Sequence, residues 1–214
     1  MAPLNGPVFD PAFRVQLATL FGWRRDVRHF QTRPIPEPVL ERLLAIARLA
    51  PSVGLSEPWR LVRVRSDTGR AQVRQEFVRC NEAALSARDG SDAGRYAALK
   101  LAGLDRAPCQ FAVFAEPDPA QGRGLGRRTM PETTDYSAVL ALHTLWLAAR
   151  AEGIGLGWVS ILDPERITAL LDVPPAWHFI AYVCLGWPDG EHDTPELERA
   201  GWERRGVAVE ILER

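Results

Sequence analysis

The chain has 214 residues, 46% of them hydrophobic and 25% charged, with a net charge of −1. This is the composition of one globular domain, 1–214, long enough to bury a core, and its balanced charge argues against nucleic acid or a membrane surface as the main partner. Cys80, Cys109 and Cys184 are scattered, no CxxC pair exists and the four histidines lie far apart, which argues against a zinc site or a disulfide framework and for a reducing, cytoplasmic compartment. Met1 to Gly6 has no basic stretch leading into an apolar run, and no window approaches 18 uninterrupted apolar residues. Neither a signal peptide nor a membrane span is expected.

Phe9, Phe13, Leu17, Leu20 and Phe21 recur at three- or four-residue spacing. They predict an amphipathic helix capped by Asp10, with Pro11 in its first turn. It runs into Arg24-Arg25-Asp26-Val27-Arg28-His29-Phe30. After Pro34 and Pro36, Glu37 to Leu49 reads as a second helix with Leu40, Leu43, Leu44 and Ala47 on one face. Pro51 ends it, Gly54 permits a tight path, and Trp59 opens a strand reaching Arg65. Residues 69 to 104 read as helical, with Gly90 and Gly94 as interruptions, and Cys109 to Ala115 as a buried strand.

Residues 116 to 135 form a long loop rich in Pro, Gly and Arg, a candidate mobile lid. Its Gly122-Arg123-Gly124-Leu125-Gly126 run is separated from the preceding strand by Pro117 and Pro119, which argues against a dinucleotide fingerprint. Tyr136 to Glu152 is the most apolar helix, expected at the centre or at an interface, with His143 read as a core histidine. Gly153, Gly155 and Gly157 alternate before Trp158-Val159-Ser160, and such glycines let a flat ligand approach backbone amides. A short helix at 164–171 and a strand at 177–186 follow. The C-terminal arm, about 190–214, is polar up to residue 206. It ends in an apolar stretch, 207–212, expected to pair with a neighbouring subunit's sheet and so to make a homodimer.

Three arginines within five residues need an anion, and Asp26 offsets only one of them. The guanidinium fork matches phosphate oxygens. No GxSxG elbow surrounds Ser160, and nothing brings His143 to it, which argues against a serine hydrolase. An arginine cluster at 24–28, hydroxyls and aromatic walls at 51–59, and a glycine-rich passage at 153–160 together suit a phosphorylated flavin.

Arg24-Arg25-Asp26-Val27-Arg28-His29-Phe30 resembles the opening Arg-Arg-x-x-Arg-x-Phe motif of the nitroreductase-like flavoproteins, and Ala50-Pro51-Ser52 through Glu57-Pro58-Trp59 is similar to their second FMN-contact motif. Further likeness to a flavin-destroying branch of that family lies in Leu99 to Leu104, Thr129-Met130-Pro131-Glu132-Thr133, Gly155 to Ile161 and Pro195-Glu196-Leu197-Glu198. The chain departs from the family pattern at Leu55 and Glu57, where Asn and Gln are usual, and a carboxylate at 57 cannot donate as an amide would.

The resemblance implies an α+β fold with a central mixed, mostly antiparallel sheet flanked by helices. Terminal segments would be exchanged in a homodimer, with FMN at the interface. Reduced FMN would be a substrate, cleaved with molecular oxygen to dimethylbenzimidazole and erythrose 4-phosphate, with a separate flavin reductase as supplier and no metal. Flavin contacts are implied for Arg24, Arg25, Asp26, Val27, Arg28, Ser52, Leu104, Gly157 and Ser160, and chemical roles for Asp26 and Ser160. The competing expectations are an NAD(P)H-dependent nitroreductase or flavin reductase, and a non-catalytic flavin-binding protein.

Overall fold

The computed structural model describes residues 6–88, 93–94, 96–97, 99, 103–206 and 208–214. The helices are α1 (Pro11–Trp23), α2 (Glu37–Ala47), α3 (Asp67–Ser86), α4 (Thr133–Ala151), α5 (Pro164–Leu170) and α6 (Glu196–Arg199). The strands are β1 (Trp59–Arg63), β2 (Cys109–Ala115), β3 (Gly155–Val159) and β4 (His178–Gly186). They form one sheet in the order β1-β2-β4-β3, with every neighbouring pair antiparallel. The parallel component of the expected mixed sheet is a single bridge between Asp26 and Leu156.

Alternation along the central strands sorts the core onto two faces, because successive side chains point to opposite sides of a sheet. Phe111, Val113, Val183 and Leu185 pack with Leu40, Leu43, Leu142 and Leu145 from α2 and α4. Ala112, Phe114, Tyr182 and Cys184 pack with Val73 and Ile167 from α3 and α5. A sheet covered on both faces explains why β2 is buried along its whole length and, Gln110 apart, reads as an apolar run.

Local signals act as expected at several ends. Asp10 Oδ1 accepts from the Phe13 amide at 2.7 Å, with Pro11 in the first turn of α1. Gly153 takes a φ of +74° after α4, the left-handed geometry that ends helices. Other ends move. α4 begins three residues before Tyr136, and β1 ends at Arg63 rather than Arg65. α3 stops at Ser86; the expected interruption at Gly90 and residues 100–102 of the Leu99 to Leu104 stretch fall outside the described residues.

One expectation is corrected. His143 is an exposed residue stacked on the Phe21 ring at 6.4 Å, not a core histidine. Within the single chain residues 208–212 form no strand, and Val209, Ile211 and Leu212 are exposed. α1 is likewise left with no buried residue, although Phe13, Leu17 and Phe21 share one side of it.

Glu76, buried on α3, ties that helix to α5. Its Oε1 accepts from Arg79 at 2.6 Å and from the Cys80 thiol at 3.2 Å, and its Oε2 accepts from Arg166 at 2.8 Å. These bonds, that of Arg79 foremost, outweigh burial and hold the carboxyl down at about 2 against an ordinary 4.5. A folded-state value below the unfolded one stabilises above the unfolded value, and that contribution fades as pH falls towards the folded one. Glu76→Gln is therefore expected to cost about 1–3 kcal/mol at pH 7, with the gap to the parent closing as pH falls from 4.5 towards 2. Denaturant titrations of both proteins across that range measure it.

Candidate functional site

Asp26 and Val27 dock on the outer edge of β3 through a parallel bridge to Leu156, and Phe30 bridges to Pro188 just past β4. The Val27 amide donates to the Leu156 carbonyl at 3.0 Å, and further on the Gln31 amide donates to the Trp187 carbonyl at 2.9 Å. This approach requires missing side chains. A Cβ on Gly157 would stand 2.2 Å from the Val27 carbonyl oxygen, and one on Gly155 would stand 2.7 Å from a Val27 methyl. Phe30 is fully buried in a slot where a Cβ on Gly103 would meet its ring at 2.4 Å. The alternating glycines thus admit the protein's own arginine segment, where the sequence alone suggested a flat ligand.

Docking the segment fixes Asp26. Its Oδ1 accepts from the Trp158 amide at 2.8 Å and its Oδ2 from Arg28 Nε at 3.3 Å. Burial raises the Asp26 carboxyl above the ordinary carboxylate range, despite the opposing Trp158 amide and Arg28, and Glu196 adds to the rise. The result is a carboxyl with increased hold on a proton, in a cleft lined also by Arg25, Arg28, Glu196 and Arg199. Ser160 is exposed immediately past β3, two residues from the amide that holds Asp26.

The arginines do not act as one uniform cluster. Arg24 lies over the Trp146 ring at 4.6 Å. Arg25 reaches the Gly22 and Asp193 carbonyls. Arg28, with its side chain only 8% exposed, lies between Asp26 and Glu196. Burial lowers the guanidinium values of Arg24 and Arg25, and the nearby Arg205 lowers both further. Arg150 adds to the effect at Arg25, although it is itself paired with Glu191 at 2.6 Å. Positive charge is concentrated here from three parts of the chain. Arg25 Nε and Arg28 Nη1 are buried without an acceptor among the described residues. Buried donors of this kind are ordinarily satisfied, so the two fit the oxygens of an anionic ligand.

Arg150 and Arg205 were not singled out by the sequence, and Glu196 entered only within the Pro195-Glu196-Leu197-Glu198 likeness, with no role attached to it. Arg150 is a basic residue in the last turn of α4, a position that helix electrostatics alone would explain. Arg205 sits in the polar arm, where nothing local marks it.

The remaining expected contacts lie elsewhere. Ser52 Oγ accepts from the Glu57 amide at 3.1 Å, and the Val53 amide donates to Ser137 Oγ at 3.0 Å near the start of α4. Trp146, which holds the Arg25 carbonyl, is nine residues further along that helix, about 14 Å away at 1.5 Å per residue. Leu55 and Glu57 both have left-handed backbone, with φ of 55° and 43°, a region that Asn enters more readily than Leu. The expected 116–135 loop ends at residue 132, just before α4, and it folds in successive turns onto the Val53–Ser56 turn. Gly122 passes so close that a Cβ would meet Ser56 at 2.8 Å, and Arg127 pairs with Asp118 at 2.8 Å. Leu104 is buried beside Phe30, and its carbonyl accepts from Gln110 at 2.8 Å. Among the described residues no cluster of three His, Cys, Asp or Glu is placed to hold a metal ion, and no helix is long and apolar enough to cross a membrane.

Residues 22–187 match the model of the nitroreductase family, and the chain belongs to that family. Among its curated relatives is a protein of Rhodospirillum rubrum named 5,6-dimethylbenzimidazole synthase, 58% identical over 94% of this chain and 95% of its own length. A Rhodobacter capsulatus protein of the same name is 52% identical over 91% and 94% of the two chains. The fold is shared with the solved structure of oxidized iodotyrosine deiodinase bound to FMN and 3-iodo-L-tyrosine. That match has a TM-score of 0.70 at 22% identity and covers 92% of this chain and 97% of that one. A nitroreductase-like protein of Streptococcus mutans gives a TM-score of 0.68 at 17% identity, over 94% and 99%.

Gly157→Ala is expected to lower stability by about 1–3 kcal/mol, an ordinary cost of overpacking, because the new methyl displaces Val27. Gly153→Ala, at a position with open space around it but a positive φ, serves as the comparison. Its exchanged amide signals should leave Trp158 unaffected, whereas those of Gly157→Ala should show Trp158 released from Asp26.

Proposed function

We infer that the chain is a 5,6-dimethylbenzimidazole synthase, an oxidoreductase that consumes reduced FMN. The reading is carried by the 58% identity, over nearly the whole of both chains, to a protein bearing that name. With molecular oxygen as co-substrate, the products are 5,6-dimethylbenzimidazole, the lower ligand of cobalamin, and erythrose 4-phosphate. A separate flavin reductase supplies the reduced flavin. What reduced FMN brings is the electrons for oxygen and the ring that leaves as product.

The protein's own residues have the remaining tasks. Arg24, Arg25 and Arg28, supported by Arg205, grip the phosphate and the polar edge of the flavin. Arg25 Nε, buried with no hydrogen-bond acceptor among the described residues, supports this reading, as does Arg28 Nη1, which has only a long 3.9 Å approach to Glu196. Asp26 holds a proton and delivers or removes it during fragmentation, a role suited to a carboxyl raised by burial. Ser160 orients oxygen next to the reacting ring. Gly157 contributes by admitting Val27 and so setting the position of Asp26.

Ser52 and the arginine segment sit at opposite ends of α4, so we also propose a homodimer in which the second copy brings its 51–57 turn and its 116–135 loop to this cleft. The uncovered apolar side of α1 and the exposed Val209, Ile211 and Leu212 support that arrangement. Deleting residues 207–214 is expected to shift the protein towards monomer on dilution, as read by light scattering.

Incubation with chemically reduced FMN in air, without nicotinamide, tests the activity. Dimethylbenzimidazole should appear as flavin is lost. Consumption of NAD(P)H with flavin intact would instead mark a nitroreductase, and bound, unchanged flavin a carrier. Asp26→Asn and Ser160→Ala should bind FMN within about threefold of the parent and form product at least about 100-fold more slowly, the scale of a lost general acid–base group.

A further inference from the structure

Trp146 faces the arginine segment from α4, less than two turns before the helix ends. Its Nε1–H donates to the Arg25 carbonyl at 3.0 Å. Its ring lies under the Arg24 guanidinium at 4.6 Å. The same ring is stacked with Trp158 at 6.3 Å and 26°, and the Trp158 amide is the one that holds Asp26.

We propose that Trp146 is a positioning residue for phosphate binding, holding Arg24 and Arg25 in a shared orientation that they would not keep alone. The proposal rests on the reading that these two arginines grip the phosphate of FMN. Adjacent guanidiniums repel, and here Arg205 and Arg150 add to the repulsion while burial removes water. An indole face gives Arg24 a substitute for that water, since the negative face of the ring attracts a cation. The indole N–H fixes the peptide that joins Arg25 to Asp26, directly after the two arginines. With the Val27 amide bonded to Leu156, the backbone is pinned on both sides of Asp26. A Trp held only for core packing would not need its N–H and its ring face to meet two successive residues of one half-buried segment.

Phosphate specificity separates this role from a general structural one. Binding of oxidised FMN and of riboflavin, which lacks the phosphate, is measured by flavin fluorescence titration for the parent, Trp146→Phe and Trp146→Leu. Circular dichroism and thermal unfolding establish that each is folded. Phe keeps a ring for Arg24 but loses the N–H, and should weaken FMN binding about 3–10-fold, the fold-change of one neutral hydrogen bond. Leu loses both and should weaken it more. Riboflavin binding should stay within about twofold in both variants. In turnover, KM for reduced FMN should rise while kcat changes less than about threefold.

Parallel loss of FMN and riboflavin would make Trp146 merely structural and overturn the proposal. So would an undiminished preference for FMN in a folded Trp146→Leu, or in Trp146→Phe where the Leu variant does not fold. A parent that binds FMN no more tightly than riboflavin would defeat the underlying reading of the arginines instead.

Discussion

The site depends on a close approach of two backbones. Asp26 and Val27 can dock on the edge of β3 only because Gly155 and Gly157 present no side chain there, and Val27 occupies the vacated space. Every other feature of the cleft is downstream of that contact. It brings Asp26 under the Trp158 amide and aims Arg28 between two carboxylates. It also seats Phe30 in the core behind them. A glycine in a strand ordinarily weakens it, so two at alternate positions mark a place where something must come near.

Charge is organised around the same segment. Burial and mutual repulsion work against Arg24 and Arg25, and no carboxylate among the described residues satisfies the buried Arg25 Nε. Nearby pairs show what full compensation looks like, as in Arg150 with Glu191 or Glu76 with Arg79 and Arg166. The cleft therefore stores an excess of donors and positive charge that an anion can relieve. Asp26 touches that excess only through Arg28 and is otherwise held by the Trp158 amide, and burial raises its hold on a proton despite both. One short stretch thus carries both buried guanidinium donors without an acceptor and a carboxyl raised by burial, the two features on which the proposed function draws.

Much of this was readable in the residues. Apolar runs and helical spacing placed β2, β4, α2 and α4 because those signals are local, and Asp26 stood out as the one carboxylate among three arginines. Distant approaches were not readable. The pairing of Asp26 with Trp158 spans 132 residues, so the glycines near Trp158 looked like room for a ligand. Arg150 looked like a helix-end cation, and Arg205 and Glu196 like part of a solvated tail. His143 lay in an apolar run and was read as core, but α4 leaves one side uncovered, and its ring faces Phe21 in the open.

The long reach between Asp26 and Trp158 also bears on when the cleft comes into being. Contacts so far apart in a chain carry a large closure entropy and tend to form after local ones, and segments held by few such contacts are among the first to detach in the native ensemble. The Trp158 amide sits on the outer side of an edge strand, and its partner is a side chain rather than another strand. Its rate of deuterium uptake is thus a direct clock for docking of the arginine segment, separate from the unfolding of the sheet behind it.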